Sequence, residues 1–307
     1  MFPGINGVTQ SYLGDLARTE TQLEQTTQNV SSGIDVNQPS DDPAAVSEIL
    51  QTETALSNNK QIQSNLSSVT TEVNTADSAL QTAVQALSSA ISMATEGASS
   101  TATADSRATL AQQVASIQQT LVGIAQTTVN GRYIFSGDQD TQPPYELDST
   151  QPEGVQQLVT GNSTRMIQSV DGTSFAVALT AQQIFDAQNA DGTPATGNVF
   201  AAVQNLETAL ANNDTAGISS ALSSLQSASS YLNDQVAFYG NVENRVQEAT
   251  SLAQKFQTQE QTQLSNLQDT DIPTAAAELT QLQTQEQASM SVEATLQQQK
   301  NLFSYLA

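Results

Sequence analysis

In the stretch IQSNLSSVTTEVNTADSALQTAVQALSSAISMA, residues 62–94, the apolar positions are Ile62, Leu66, Val69, Val73, Ala76, Leu80, Ala83, Leu87, Ala90 and Ala94. They recur in alternating steps of four and three, which puts them on one stripe of a 3.6-residue helix. A seam held over more than four heptads predicts a helix on the order of 50 Å long at about 1.5 Å per residue. Ser, Thr, Gln and Asn fill the other faces. Alanine at several seam positions lets neighbouring backbones approach closely.

Working outward, Leu110, Val114, Ile117, Leu121, Ile124 and Thr128 repeat the spacing and predict a second helix. Residues 97–105, rich in Ser, Thr and Ala, read as the reversal of an antiparallel hairpin. The pattern returns late, at Leu222, Leu225, Leu232, Val236, Tyr239, Val246, Ala253 and Phe256, after a shorter run at Val199, Val203, Leu206 and Leu210. The expected seam therefore rests on Leu66, Val73, Leu80, Leu87, Leu110, Ile117, Leu121, Leu225, Leu232 and Val246. Between the two halves the heptads vanish, and Gly137, Pro143, Pro144, Pro152, Gly154, Gly161, Gly172 and Gly192 punctuate the chain. Residues 157–160, 165–170 and 174–179 read as strands, with Asp171-Gly172 as a hairpin turn.

The ends are weaker helices. Leu16, Leu23 and Val30 stand a heptad apart with Thr19 and Thr26 between them. The last helix, expected over residues 274–305, is Gln-rich and carries Leu279, Leu282, Met290, Leu296, Leu302, Phe303 and Leu306. Helices this polar are marginal in water by themselves, and each buried apolar side chain contributes only about 1.5–3 kcal/mol. These ends are expected to order against each other and a neighbouring molecule. The fold class is mainly α: a long antiparallel, coiled-coil-like helical rod from both chain halves with a small β-rich inserted domain. The expected divisions are residues 1–40 with 270–307, 41–135 with 198–269, and 136–197.

Composition narrows the chemistry. The chain of 307 residues has no Trp and only 5% aromatic residues, so its interior must be built from Leu, Val, Ile and Ala, as helical seams are. Eight basic residues against 31 acidic ones give a net charge of -23, and the cations are scattered, which disfavours nucleic acid as a partner. No apolar run approaches about 20 residues, so no membrane insertion is expected. Met1 to Leu16 lacks a basic start and a continuous apolar core, so no cleaved secretory signal is expected. With neither His nor Cys, imidazole or thiolate metal sites and Ser-His or Cys-His nucleophiles are excluded, and no phosphate-cradling glycine loop occurs. The paired carboxylates have simpler roles: Asp41-Asp42 before Pro43 and Asp269 with Asp271 before Pro273 suit helix capping, and Asp138 with Asp140 suits a solvated turn. No enzyme, cofactor or metal is expected.

Three stretches, in order along the chain, resemble the bacterial flagellin superfamily. The first is SSGIDVNQPSDDPA, residues 31–44, with Gly33, Asn37, Asp41, Asp42 and Pro43 at the turn from the first helix to the rod. The second is IAQTTVNGRYIFSG, residues 124–137, containing Asn130, Gly131, Arg132, Tyr133, Phe135 and Gly137. Its Arg-Tyr-Ile-Phe-Ser-Gly end, with the FAVALT run at 175–180 and Ile184-Phe185, is similar to the hook-filament junction branch, the third hook-associated proteins. The third is DIPTAAAEL, residues 271–279, with Gln287-Ala288 and the closing LFSYL at 302–306.

The resemblance spans nearly the whole chain and implies an extracellular structural subunit of the flagellum. Such a subunit is an adaptor between a hook-associated ring and the flagellin filament, with flagellin itself as the alternative. A coiled-coil adhesion or signalling module is a more distant one. It implies export by the flagellar type III pathway without a cleaved signal, a chaperone for the terminal helices, and copies arranged in a ring. The partners would be a neighbouring hook-associated protein and flagellin, with Leu16, Leu23, Val30, Leu279, Leu282, Leu296, Phe303 and Leu306 carrying the assembly of an inner tube.

Overall fold

The computed structural model describes residues 3–160 and 164–303, with side chains resolved over 10–160 and 164–295. Long helices from both halves of the chain make the fold, and short antiparallel strand pairs interrupt them in one inserted segment. In order, α1 (Pro3–Ser32), α2 (Val46–Gly97) and α3 (Ala104–Ala125) precede six strands. These are β1 (Thr128–Val129), β2 (Arg132–Tyr133), β3 (Tyr145–Leu147), β4 (Val155–Gln157), β5 (Met166–Gln168) and β6 (Ser174–Ala176). Then come α4 (Ala181–Phe185), α5 (Val199–Ala211), α6 (Thr215–Gln268) and α7 (Ile272–Phe303). The chain forms two compact units, residues 59–256 and residues 1–58 with 257–307.

Within residues 59–256 the seam of α2 is buried without interruption from Leu66 through Val73, Leu80 and Leu87 to Ala94. Leu110, Ile117 and Leu121 of α3 and Leu225, Leu232 and Val246 of α6 close on it in a single apolar cluster. Helix α6 lies antiparallel to α2, since Asn59 bonds to the Ala253 carbonyl at 3.0 Å near one end and Gly97 meets Ile218 near the other. A methyl group on Gly97 would stand 2.5 Å from a Leu210 methyl, so glycine there lets α5 approach the end of α2.

Asn59 occupies the seam position seven residues before Leu66 and is 1% exposed. A buried amide that finds one specific carbonyl fixes which turn of α6 lies opposite, because a slip of one turn would strand it. Leu222 and Val236 are half-buried flanks, because Ala221, Leu225, Ala228 and Leu232 take the centre of the α6 stripe. Phe256, expected on the seam, is 37% exposed and follows the polar layer of Asn59 and Ala253. Thr128, expected as the last seam position of α3, is an exposed residue of β1. Helix α3 ends earlier because Thr127 turns its hydroxyl back onto the Ile124 carbonyl at 2.6 Å and the chain enters a hairpin.

The inserted strands are shorter than expected and form three separate antiparallel pairs. The pair β5 and β6 turns at Asp171-Gly172, where Gly172 has φ 83° and Asp171 accepts from the Thr173 amide and hydroxyl. The same Asp-X-Thr device closes turns at Asp148 with Thr150 and at Asp191 with Thr193. The strand expected at 157–160 is not formed there: β4 covers Val155–Gln157 and pairs with β3, and residues 158–160 lie outside any strand. Helix α4 is held by a reciprocal cap between Thr180 and Gln183.

Leu80 and Leu121 are fully buried in this seam. Leu80→Asp or Leu121→Asp is expected to lower the stability of residues 59–256 by several kcal/mol, since an unpaired carboxylate would enter an apolar interior. Thermal unfolding followed by circular dichroism checks this, and an unchanged midpoint would show that the seam register is wrong.

Candidate functional site

The terminal helices α1 and α7 run side by side and antiparallel. Thr270 donates its amide to the Gly33 carbonyl at 3.0 Å at one end, and the Tyr12 hydroxyl meets the Ser289 carbonyl toward the other. Between these ties Thr26, Ala275 and Leu282 are buried, whereas Leu16, Leu23, Val30 and Leu279 are half-buried. Leu13, Met290 and Val292 are each about half exposed, at 50%, 51% and 49%. The side chains of Leu296 and Phe303, and Leu306 altogether, lie outside the described residues.

The turn from α1 to α2 is tied by its own polar side chains. Gly33 leaves α1 at φ 75°, and Asp35 donates its amide to the Gln268 carbonyl at 2.7 Å, bringing the turn against the end of α6. Asn37 donates its side-chain amide to the Ile34 carbonyl at 2.8 Å, while Asp41 accepts the amides of Asn37 and Gln38 at 3.0 and 2.7 Å. Asp42 accepts the amides of Ala44 and Ala45, just beyond the ring-locked Pro43, so it caps the turn that feeds α2. The expected carboxylate cap of α7 takes another form: Asp271 accepts the Thr274 hydroxyl at 2.8 Å and its carbonyl accepts the Ala275 amide, whereas Asp269 accepts the Ser265 hydroxyl of α6.

The segment leaving α3 is a tight hairpin. Asn130 and Gly131 both have positive φ, 52° and 76°, which gives a two-residue turn whose twist matches β1 and β2. Arg132 pairs with Asp140 at 3.1 Å, and Tyr133 donates its amide to the Asp140 carbonyl at 2.8 Å. Phe135 is fully buried, edge-on to Phe185 and Tyr239 with ring centres 6.2 and 6.4 Å away. Its carbonyl accepts the Ala181 amide at 2.7 Å, and Gly137 turns the chain at φ 63°. This one side chain joins the exit hairpin, α4 and α6.

Two polar centres escape pattern reading because neither has a periodic signature. Arg107, 6% exposed, reaches the Gly97 carbonyl at 2.7 Å, the Ser99 carbonyl at 3.1 Å and the Asn213 side chain at 2.6 Å. It satisfies the carbonyls at the end of α2 and links the α2–α3 reversal to the α5–α6 turn. The second centre joins Tyr145, Glu153, Asp186 and Asn198. The Tyr145 hydroxyl donates to Asp186 at 2.8 Å, and Asn198 donates to the other Asp186 oxygen at 2.8 Å while capping α5. Burial, then the charge of Asp186, pushes the Tyr145 hydroxyl far above its ordinary value, and burial does the same to Tyr239. Burial and then Asp186 push Glu153 up to about 7.

No group of three or more acidic side chains among the described residues could hold a metal ion, and no described helix is long and apolar enough to cross a membrane. What the arrangement offers is therefore surface and seam: an exposed pair of end helices and a tightly fastened insertion.

The comparisons with known proteins agree with that architecture. The bacterial flagellin N-terminal helical region matches residues 5–140, and the bacterial flagellin C-terminal helical region matches residues 215–306. The chain belongs to the bacterial flagellin family and is a structural protein of that family. Among solved structures, a putative flagellar hook-associated protein from Vibrio parahaemolyticus is similar with a TM-score of 0.64 at 18% identity, over 75% of this chain and 100% of its own. Flagellar hook associated protein-3 from Legionella pneumophila gives 0.62 at 14% identity, over 71% and 98%. FlgL of Bacillus cereus gives 0.56 at 15%, over 70% and 99%. At these identities the likeness is one of fold. No curated protein matches the chain.

Arg107→Ala is expected to lower stability by about 1–3 kcal/mol, because the buried Gly97 carbonyl loses its charged donor. Phe135→Ala should cost about 3–5 kcal/mol by opening a cavity among Phe185 and Tyr239. Urea unfolding midpoints of both variants check these figures, and a Phe135→Ala midpoint equal to wild type would remove that residue from its central place.

Proposed function

We propose that the protein is an adaptor at the junction of hook and filament, joining a hook-associated ring to the flagellin filament. The observation that carries this reading is the stretch at 132–137, which resembles the junction branch of the family and whose Phe135 is the hub on which the insertion is seated. The solved chains similar in fold, among them hook associated protein-3 and FlgL, support it, since each is covered almost end to end. Residues 1–40 with 270–307 form the assembly region on this reading, 41–135 with 198–269 the rod, and 136–197 the outward-facing part.

The assembly surface is the face of α1 and α7 that the pair leaves open. Leu16, Leu23, Val30 and Leu279 are only half-covered in the single chain, and Leu13 and Met290 less so. Copies of the same chain in a ring, a hook-associated protein on one side and flagellin on the other would complete their burial. The subunit reaches the cell exterior through the flagellar type III pathway without a cleaved signal, with a chaperone covering the end helices on the way.

A strain lacking this protein is expected to keep complete hooks while releasing unpolymerised flagellin into the medium, as electron microscopy and immunoblotting of the supernatant would show. Absence of any filament subunit, inside or outside the cells, would overturn the adaptor reading in favour of flagellin. In the purified monomer, residues 1–40 and 270–307 should be cut by a nonspecific protease well before the α2, α3 and α6 seam. Equal protection of ends and seam would mean that the end helices need no neighbour.

A further inference from the structure

The carboxyls of Glu153 and Asp186 converge on one donor where the inserted segment meets the helices: the Asn198 side-chain nitrogen lies 3.5 Å from one and 2.8 Å from the other. Asp186, 2% exposed at the end of α4, already accepts from the Tyr145 hydroxyl, the Asn198 side chain and Gln188 at 3.1 Å. Glu153 stands in the turn between β3 and β4, and its carbonyl accepts the Gln118 side chain of α3 at 2.9 Å. Its carboxyl lies 3.5 Å from the Asn198 amide nitrogen, which is a long bond and already shared with Asp186. One carboxyl pair thus joins the β3–β4 hairpin, the end of α4 and the start of α5.

Two ionised carboxyls at this distance repel strongly in a half-dry site, so either a proton or a cation must lie between them. Among the described residues no Lys or Arg pairs with either one. The other groups facing the pair are Tyr145, which burial keeps neutral, and the uncharged amides of Asn198, Gln118 and Gln188. Gln204 of α5 presses on Gly154 and links to Glu207, which adds charge of the same sign.

We propose that Glu153 carries a proton that it donates to Asp186, and that this proton latches the inserted segment to α5, holding it while bound and releasing it when lost. In the latched form the Glu153 O–H donates to the Asp186 carboxylate. When the proton passes to solvent, two like charges face each other, and between them stand only the two N–H groups of Asn198, which the Ala187 carbonyl at 3.3 Å also draws on. The sign follows from the folded-state affinity: Glu153 is raised from 4.5 to about 7 by burial, then by the Asp186 charge, then by the hydrogen bond. A carboxyl raised in this way adds stability that is fully present below about 4.5 and is lost as pH climbs through about 7.

Hydrogen exchange of the full chain, corrected for the intrinsic pH dependence of exchange, tests the latch at about pH 5.5 and about pH 8.5. Protection of residues 144–158 and 195–201 is expected to fall at least tenfold between the two, because the interval from about pH 5.5 to the Glu153 value of about 7 exceeds one pH unit. Glu153→Gln, a permanently neutral side chain, should keep its protection at both. Loss of protection in Glu153→Gln parallel to wild type, or equal protection of wild type at both, would overturn the proposal. So would calcium that restores protection to wild type in alkali, because the pair would then be a cation site. Should the variant fail to fold, carbon-detected titration of the glutamate carboxyls in wild type decides the matter: a glutamate with a midpoint near 7 supports the bound proton, and none above about 6 sinks it.

Discussion

Burial of a narrow stripe along α2 and α6 is the constraint on which the rest depends. Nearly half of the α2 stripe is alanine, at positions 76, 83, 90 and 94, and α6 answers with Ala221, Ala228, Ala249 and Ala253. An alanine removes little apolar surface from water, and each buried methylene equivalent contributes only about 0.8 kcal/mol. Such a seam becomes stable by being long and by bringing backbones close, which multiplies dispersion contacts without bulky side chains. That explains helices of 52 and 54 residues in a chain so poor in aromatic residues. The most fully buried rings meet at one place, where Phe135, Phe185, Phe200, Tyr145 and Tyr239 seat the insertion.

The outer faces follow from the same economy. Many helix hydroxyls fold back onto their own helix, as Thr70 does to the Leu66 carbonyl at 2.8 Å and Thr82 to the Ser78 carbonyl at 2.9 Å. Such back-bonding does little to favour a helix by itself, so these faces depend on the seam for their order. With 13% charged residues, surface ion pairs have little part in stability, and the pairs Arg18 with Asp15 and Arg132 with Asp140 have largely exposed cations worth little. The structurally consequential cation is Arg107, because it is dry and holds backbone carbonyls where helices end.

The heptads made the long helices, their reversal at 97–105 and the interruption after α3 legible in the sequence. The Asp171-Gly172 turn was legible for a different reason: only a few residue pairs take that backbone cheaply. Strands β1 to β3, and all of β4 but Gln157, were not, since two or three residues cannot display an alternation. Nor was the exact α6 stripe, where alanine wins the centre from the larger Leu222 and Val236 by geometry that hydrophobicity does not record. Asn59, Arg107, Glu153 and Asp186 were hidden more deeply. Each is a polar residue whose meaning comes from a partner far along the chain, Ala253 for Asn59 and Asn213 for Arg107. Among the motif residues, the roles of Gly33 and Asp42 were readable because capping is local, whereas Asp41, which closes the preceding turn onto Asn37 and Gln38, and Phe135 as a hub were not.

The terminal unit poses the opposite problem from the seam. Residues 1–58 and 257–307 carry two basic residues, Arg18 and Lys300, against fourteen carboxyl groups. Copies meeting through this unit therefore meet charge of one sign. Attraction cannot come from ion pairs, and it must come from half-covered apolar positions such as Leu16, Leu23 and Leu279 together with hydrogen bonds from a Gln-rich surface. At physiological ionic strength the repulsion between exposed charges fades beyond about 8 Å, which leaves these short-range contacts to decide. Contacts this weak hold only where many form together, which is the behaviour that the proposed assembly role asks of these helices.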